Sequence, residues 1–175
     1  MTSTMKLRDM IFAAMMVALG IVIPMSIHSL NVSQVVLPMH LPVLVGGFIL
    51  PWPLALLVGV LTPVLSSLLT SMPPLMPMLP IMVVELATYG VAASVLYHKA
   101  KWHPLPTLLV TMVAGRLVAS VMVWLLVQFL GIEFLPPMAF FISSITTGLP
   151  GIIIQLILVP LILAMIPDRV RKRHA

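Results

Sequence analysis

The chain has 175 residues, 61% of them hydrophobic and only 7% charged, with a mean hydropathy of +1.22. Soluble domains carry about 25% charged residues, so the composition excludes a water-soluble globular domain and indicates an integral membrane protein. The net charge of +5 sits almost wholly in short flanks, a mark of membrane topology rather than nucleic-acid recognition, and the absence of cysteine excludes disulfides, thiolate metal sites and cysteine nucleophiles.

The first element is a polar lead, Met1 to Asp9, with Lys6 and Arg8, followed by an apolar span over about 10–27. A basic start before an apolar run has the form of a signal peptide. Pro24 to Gln34 offers no small-x-small cleavage site, so the run reads as a retained helix. Within it, Ala14-x-x-x-Ala18 is a small-residue face that lets another helix approach closely. Residues 28–39 form a polar connection. A short second span covers about 36–50 and is broken by Pro51-Trp52-Pro53, since proline removes a donor and clashes with the preceding turn. The third span covers about 54–71, and 72–80 is a proline-rich irregular stretch. The fourth span (78–97), a basic connection, the fifth (105–130), a loop carrying Glu133 and the sixth (143–166) complete the chain before a basic tail.

The expected fold is therefore an all-α membrane protein, a bundle of six transmembrane helices in a single domain. Lysine and arginine orient it. Lys6 and Arg8 precede the first span, Lys99 and Lys101 follow the fourth, and Arg169, Arg171, Lys172 and Arg173 follow the sixth. Six spans place all eight on one side, which is the cytoplasm, and leave the opposite loops with no Lys or Arg. Both termini are then cytoplasmic.

Two ionised residues lie inside spans: Glu85 in the fourth and Arg116 in the fifth. At ~1.5 Å per residue, Glu85 falls roughly 10 Å below the outer boundary and Arg116 roughly 14 Å below it in a core of ~30 Å. They stand within a helical turn of the same height. An intramembrane charge marks a functional site by default. The plain alternative is a buried pair that only locks helices together. Helical spacing brings Tyr89 onto the face of Glu85, and Ser120 and Trp124 follow Arg116 at steps of four. Gln155 lies near mid-depth in the sixth span, and Asn31, Gln34 and His40 stand on or beside the first outer loop. These polar and aromatic groups suit a small flat heterocycle. A single histidine without a second ligand at metal spacing gives no metal site. Ser66-Ser67 and Ser143-Ser144 lack a His or Asp placed to activate them, so no catalytic residue is assigned. No phosphate-cradling loop is present, so the chain does not itself hydrolyse ATP.

Six spans in this length, the small-residue first helix and four stretches carry a family resemblance: Met39 to Leu50, Val58 to Pro74, Met82 to Gly90 and Ser144 to Gly151. Together these resemble the substrate-binding S components of energy-coupling factor (ECF) transporters. The resemblance implies a membrane scaffold subunit and two cytoplasmic ATPases as partners, with Ala14 and Ala18 packing on the scaffold. It implies a vitamin bound near the outer face by the first outer loop and the fourth to sixth helices, and a subunit that topples in the membrane to release it. Cofactors are not expected. Hydroxymethylpyrimidine or pyridoxine is the best guess for the ligand, and pantothenate is its competitor. An ion-coupled carrier using Glu85, a membrane enzyme and a structural membrane protein are the alternatives of other classes. The expected location is a prokaryotic plasma membrane.

Overall fold

The computed structural model describes residues 7–28 and 37–167. Six helices follow in order: α1 (Leu7–His28), α2 (His40–Ile49), α3 (Trp52–Thr70), α4 (Met78–Ser94), α5 (Pro104–Leu130) and α6 (Pro137–Met165). A π-helical turn, Val95–Lys99, continues α4. No strand occurs among the described residues. The molecule is a multi-helix membrane bundle.

Local sequence sets the ends. α3, α5 and α6 each carry proline in their first turn, where the missing N–H has no helical partner to lose. α5 stops at Gly131, whose φ of +62° is the left-handed cap that glycine supplies without strain. The serine-rich end of α3 fastens the proline loop that follows. The Ser66 hydroxyl donates to the Met72 carbonyl at 2.8 Å and Ser67 to that of Pro73 at 2.7 Å. These hydroxyls hold backbone.

Among the described residues five helices are long and apolar enough to cross a membrane, and α2 is a shorter apolar helix. Its ten residues reach only ~15 Å, about half of a ~30 Å hydrocarbon core. All but Leu41 are buried, so the ends of α2 are sheltered by protein, as irregular backbone at membrane depth requires. Val43, Leu44, Phe48 and Leu50 of this segment are fully buried and centre the main core. The Ser94 hydroxyl donates to the Leu50 carbonyl at 2.8 Å and ties the end of α2 to α4.

α3 and α4 meet backbone to backbone. A Cβ on Gly59 would fall on the Leu86 carbonyl and Ala87, and a Cβ on Gly90 would fall on the Ala55 carbonyl. Each helix thus offers a small residue where the other offers main chain. α1 is the most peripheral, with 22% of its span buried. Lys99 lies over the Trp52 ring at 5.9 Å, which brings the α2–α3 and α4–α5 turns to one end of the bundle. The ends of α1 and α3 and the turns before α2 and α6 converge at the other, around a large cavity.

Candidate ligand site

Glu85 faces inward from the second turn of α4 and is 2% exposed. Three side chains converge on its Oε1. Arg116 of α5 brings Nη1 to 2.9 Å. Tyr89, one turn further along α4, donates its hydroxyl at 3.0 Å. His40, the first residue of α2, places Nε2 at 3.5 Å and meets the Tyr89 ring edge-on at 5.4 Å. Three elements therefore build one cluster. Gly115 makes it possible, because a Cβ at that position would lie inside the Tyr89 ring.

The cluster is electrostatically paired but not saturated. Glu85 and Arg116 cancel in formal charge, which is what permits them at membrane depth. At 3.5 Å the His40 contact is too long for a well-made hydrogen bond. Among the described residues, both His40 ring nitrogens and Arg116 Nε are buried without a hydrogen-bond partner. Buried polar atoms are ordinarily bonded, and an unmet one costs about 1–3 kcal/mol. Three such atoms therefore stand together beside Glu85, on residues that border one cavity.

His40, Glu85 and Arg116 line a cavity of about 790 Å³, within the ~300–1,000 Å³ range of small-molecule sites. Its walls are mainly apolar, including Met39, Met78, Ile81, Met82, Phe134 and Phe140, with hydroxyls of Ser143 and Thr147 among them. An apolar vessel with a few convergent polar groups orients a small organic molecule. The described residues contain no group of three or more His, Cys, Asp or Glu able to hold a metal.

Of the residues expected from sequence, Glu85, Tyr89, Arg116 and His40 come together. Gln155 is fully buried on α6, but its Nε2 reaches the Leu37 carbonyl at 3.4 Å and it does not line the cavity. Ser120 donates to the Arg116 carbonyl of its own helix at 2.8 Å. Trp124 is 49% exposed and packs edge-on against Phe129. Neither lines the cavity: the Ser120 hydroxyl is spent on its own helix, and two steps of four carry Trp124 ~80° around the helix from Arg116. Asn31 and Gln34 lie outside the described residues. Ala14 and Ala18 stand on the exposed side of α1. The wall residues Met78, Met82, Phe134 and Phe140 carry no chemical signal in the sequence and are found only through the fold. Gly148 is different: Ser144 to Gly151, rich in small residues, marks a place on α6 where other groups approach closely.

A family model described as "ECF transporter, substrate-specific component" matches residues 8–163. No curated relative and no solved structure matches the chain.

Proposed function

We propose, from the premise that the chain belongs to the ECF transporter substrate-specific components, that its cavity captures a small water-soluble vitamin or vitamin precursor for import. The chain is a transport subunit of a multi-pass membrane protein class, not an enzyme. The observation that carries the proposal is the unsaturated cluster of Glu85, Arg116 and His40 lining an apolar cavity of about 790 Å³.

The chemistry of the cluster favours a neutral or zwitterionic ring. Glu85 and Arg116 already neutralise each other, so a guest that is itself neutral leaves no net charge buried. The two His40 ring nitrogens and Arg116 Nε are the groups left to bond a guest, and Arg116 Nε offers a donor. A ring nitrogen and a hydroxymethyl group complement that set, which supports hydroxymethylpyrimidine or pyridoxine. One observation favours a second reading. Arg116 spends Nη1 on Glu85 and leaves Nε unpartnered, and an arginine edge suits a carboxylate. Pantothenate is the ligand of that reading.

Lys99 and Lys101 stand at the end of the bundle away from the cavity, and the positive-inside rule makes that end cytoplasmic. The cavity then opens outward, and both termini are inside. A membrane scaffold subunit and two ATPases complete the importer, with ATP hydrolysis assigned to the ATPases. The exposed Ala14 and Ala18 face is the surface offered to the scaffold. The host membrane is a prokaryotic plasma membrane.

The test is to purify the chain alone in detergent, extract retained small molecules and identify them by mass spectrometry. A stoichiometric hydroxymethylated heterocycle supports the first reading, and pantothenate supports the second. A folded, empty protein that gives no heat with hydroxymethylpyrimidine, pyridoxine or pantothenate in titration calorimetry would sink both.

A further inference from the structure

The turn that delivers His40 to the cluster is held from behind by α6. The turn begins at Leu37, whose φ is +51°. That left-handed conformation is unfavourable for a residue with a Cβ and persists where the surroundings over-determine it. The Leu37 carbonyl accepts the His40 backbone N–H at 3.1 Å and, over a longer 3.4 Å, a hydrogen of Gln155 Nε2. The Leu37 side chain lies over Gly148, where a Cβ would stand 3.1 Å from Leu37 Cδ1. Gly148 and Gln155 are seven residues apart on α6, two helical turns, and so share a face. One face of α6 therefore holds both the side chain and the carbonyl of Leu37.

Gln155 is 1% exposed and has no contact with the cavity. A buried amide must find a partner, and among the described residues the Leu37 carbonyl is the one that Nε2 has. We infer that Gln155 is a positioning residue: through the Leu37 carbonyl it fixes the first turn of α2 and so the place of His40 beside Glu85. Its importance for binding rests on the reading of the cavity as a ligand site, but the positioning itself does not.

The test reads His40 directly. Wild-type and Gln155→Met proteins are washed in detergent until mass spectrometry finds no retained small molecule. Each is then treated with diethyl pyrocarbonate, and the rate of carbethoxylation is followed at His40 and His98 by peptide mass spectrometry. The two histidines are equally buried, 3% and 4% exposed, and His98 lies in the π-helical turn at the opposite end of the bundle. Methionine preserves length and apolar bulk and removes the N–H. The expected result is modification of His40 roughly five-fold faster, as for loss of one hydrogen bond to a local equilibrium, with His98 within about two-fold of wild type. An unchanged His40, or equal acceleration at both histidines, overturns the inference, because general loosening moves both. If Gln155→Met does not fold, Gln155→Asn, whose amide is too short to reach Leu37, is held to the same two rates. A chain that shows the selective His40 response yet binds no small molecule upholds the positioning and removes the proposed function, so the two fail separately.

Discussion

Removing the charges of Glu85 and Arg116 one at a time and together separates a ligand site from a packing pair. Both are nearly buried, 2% and 7% exposed, and lie 2.9 Å apart. Arg116→Met leaves a carboxylate in a low-dielectric interior with only Tyr89 and His40 beside it. Glu85→Gln leaves a guanidinium with no counter-charge. Breaking a buried pair from one side costs about 3–5 kcal/mol, whereas replacing both partners with neutral groups of similar volume is often close to neutral. Each single variant should therefore lower the unfolding midpoint sharply, and the Glu85→Gln/Arg116→Met double variant should recover most of it. Ligand affinity should behave differently. A guest bonded to these groups loses about 2–5 kcal/mol when a buried charged partner is truncated, or roughly 30-fold to several thousand-fold in Kd. The stable double variant loses it as well. The assays are thermal unfolding in detergent and titration calorimetry with the molecule that the wild-type protein retains. A double variant that regains stability and binds within a few-fold of wild type would refute the ligand role and leave the pair as a packing device.

Three further outcomes are expected. Ala14→Leu with Ala18→Leu, on the exposed side of α1, should abolish co-purification with the scaffold and ATPases while leaving the isolated chain's affinity within two-fold; lost affinity in the isolated chain would contradict a docking role. Gly115→Ala places a Cβ in the Tyr89 ring and should destabilise by about 1–3 kcal/mol, the usual range for overpacking, with weakened ligand binding as Tyr89 leaves Glu85. Wild-type midpoint and affinity in that variant would show that the ring has room to move. Trp124→Ala removes an outward-facing side chain and should leave affinity within two-fold, whereas a ten-fold loss would return Trp124 to the site.

The membrane class, the helical order and the Glu85–Arg116 meeting are legible in sequence, because each follows from one-dimensional quantities. Apolar length gives spans, and rise per residue gives depth. Tyr89 is legible because one step of four on α4 keeps nearly the same face. Trp124 is misread because two such steps rotate out of it. Gln155 is recognised as an inward polar group, but its partner is a carbonyl 118 positions earlier, and no spacing rule reaches across the fold to find it. His40 needs the fold too: its distance from Glu85 depends on how α2 enters between α1, α4 and α6. The shortness of α2 has a similar origin, since a buried helix needs no full apolar length when its neighbours shelter its ends. The cavity walls are the least legible part, because methionine and phenylalanine have the same composition signal facing lipid, core or ligand.

The reciprocal glycine contacts between α3 and α4 also decide which parts of the bundle are free to move. Where side chains interdigitate, rotamers can adjust and helices can slide by small amounts. Where Gly59 meets the Leu86 carbonyl and Gly90 meets that of Ala55, there is no side chain to yield, and a slip of one residue would drive a bulky group into main chain. α3 and α4 therefore behave as one plate, with Glu85 and Tyr89 fixed to it. The other walls of the cavity, among them the lightly buried α1 and the proline-containing α6, are mounted around that plate. The carboxylate is the stationary reference of the site, and the rest of the cavity is organised by how those elements approach it.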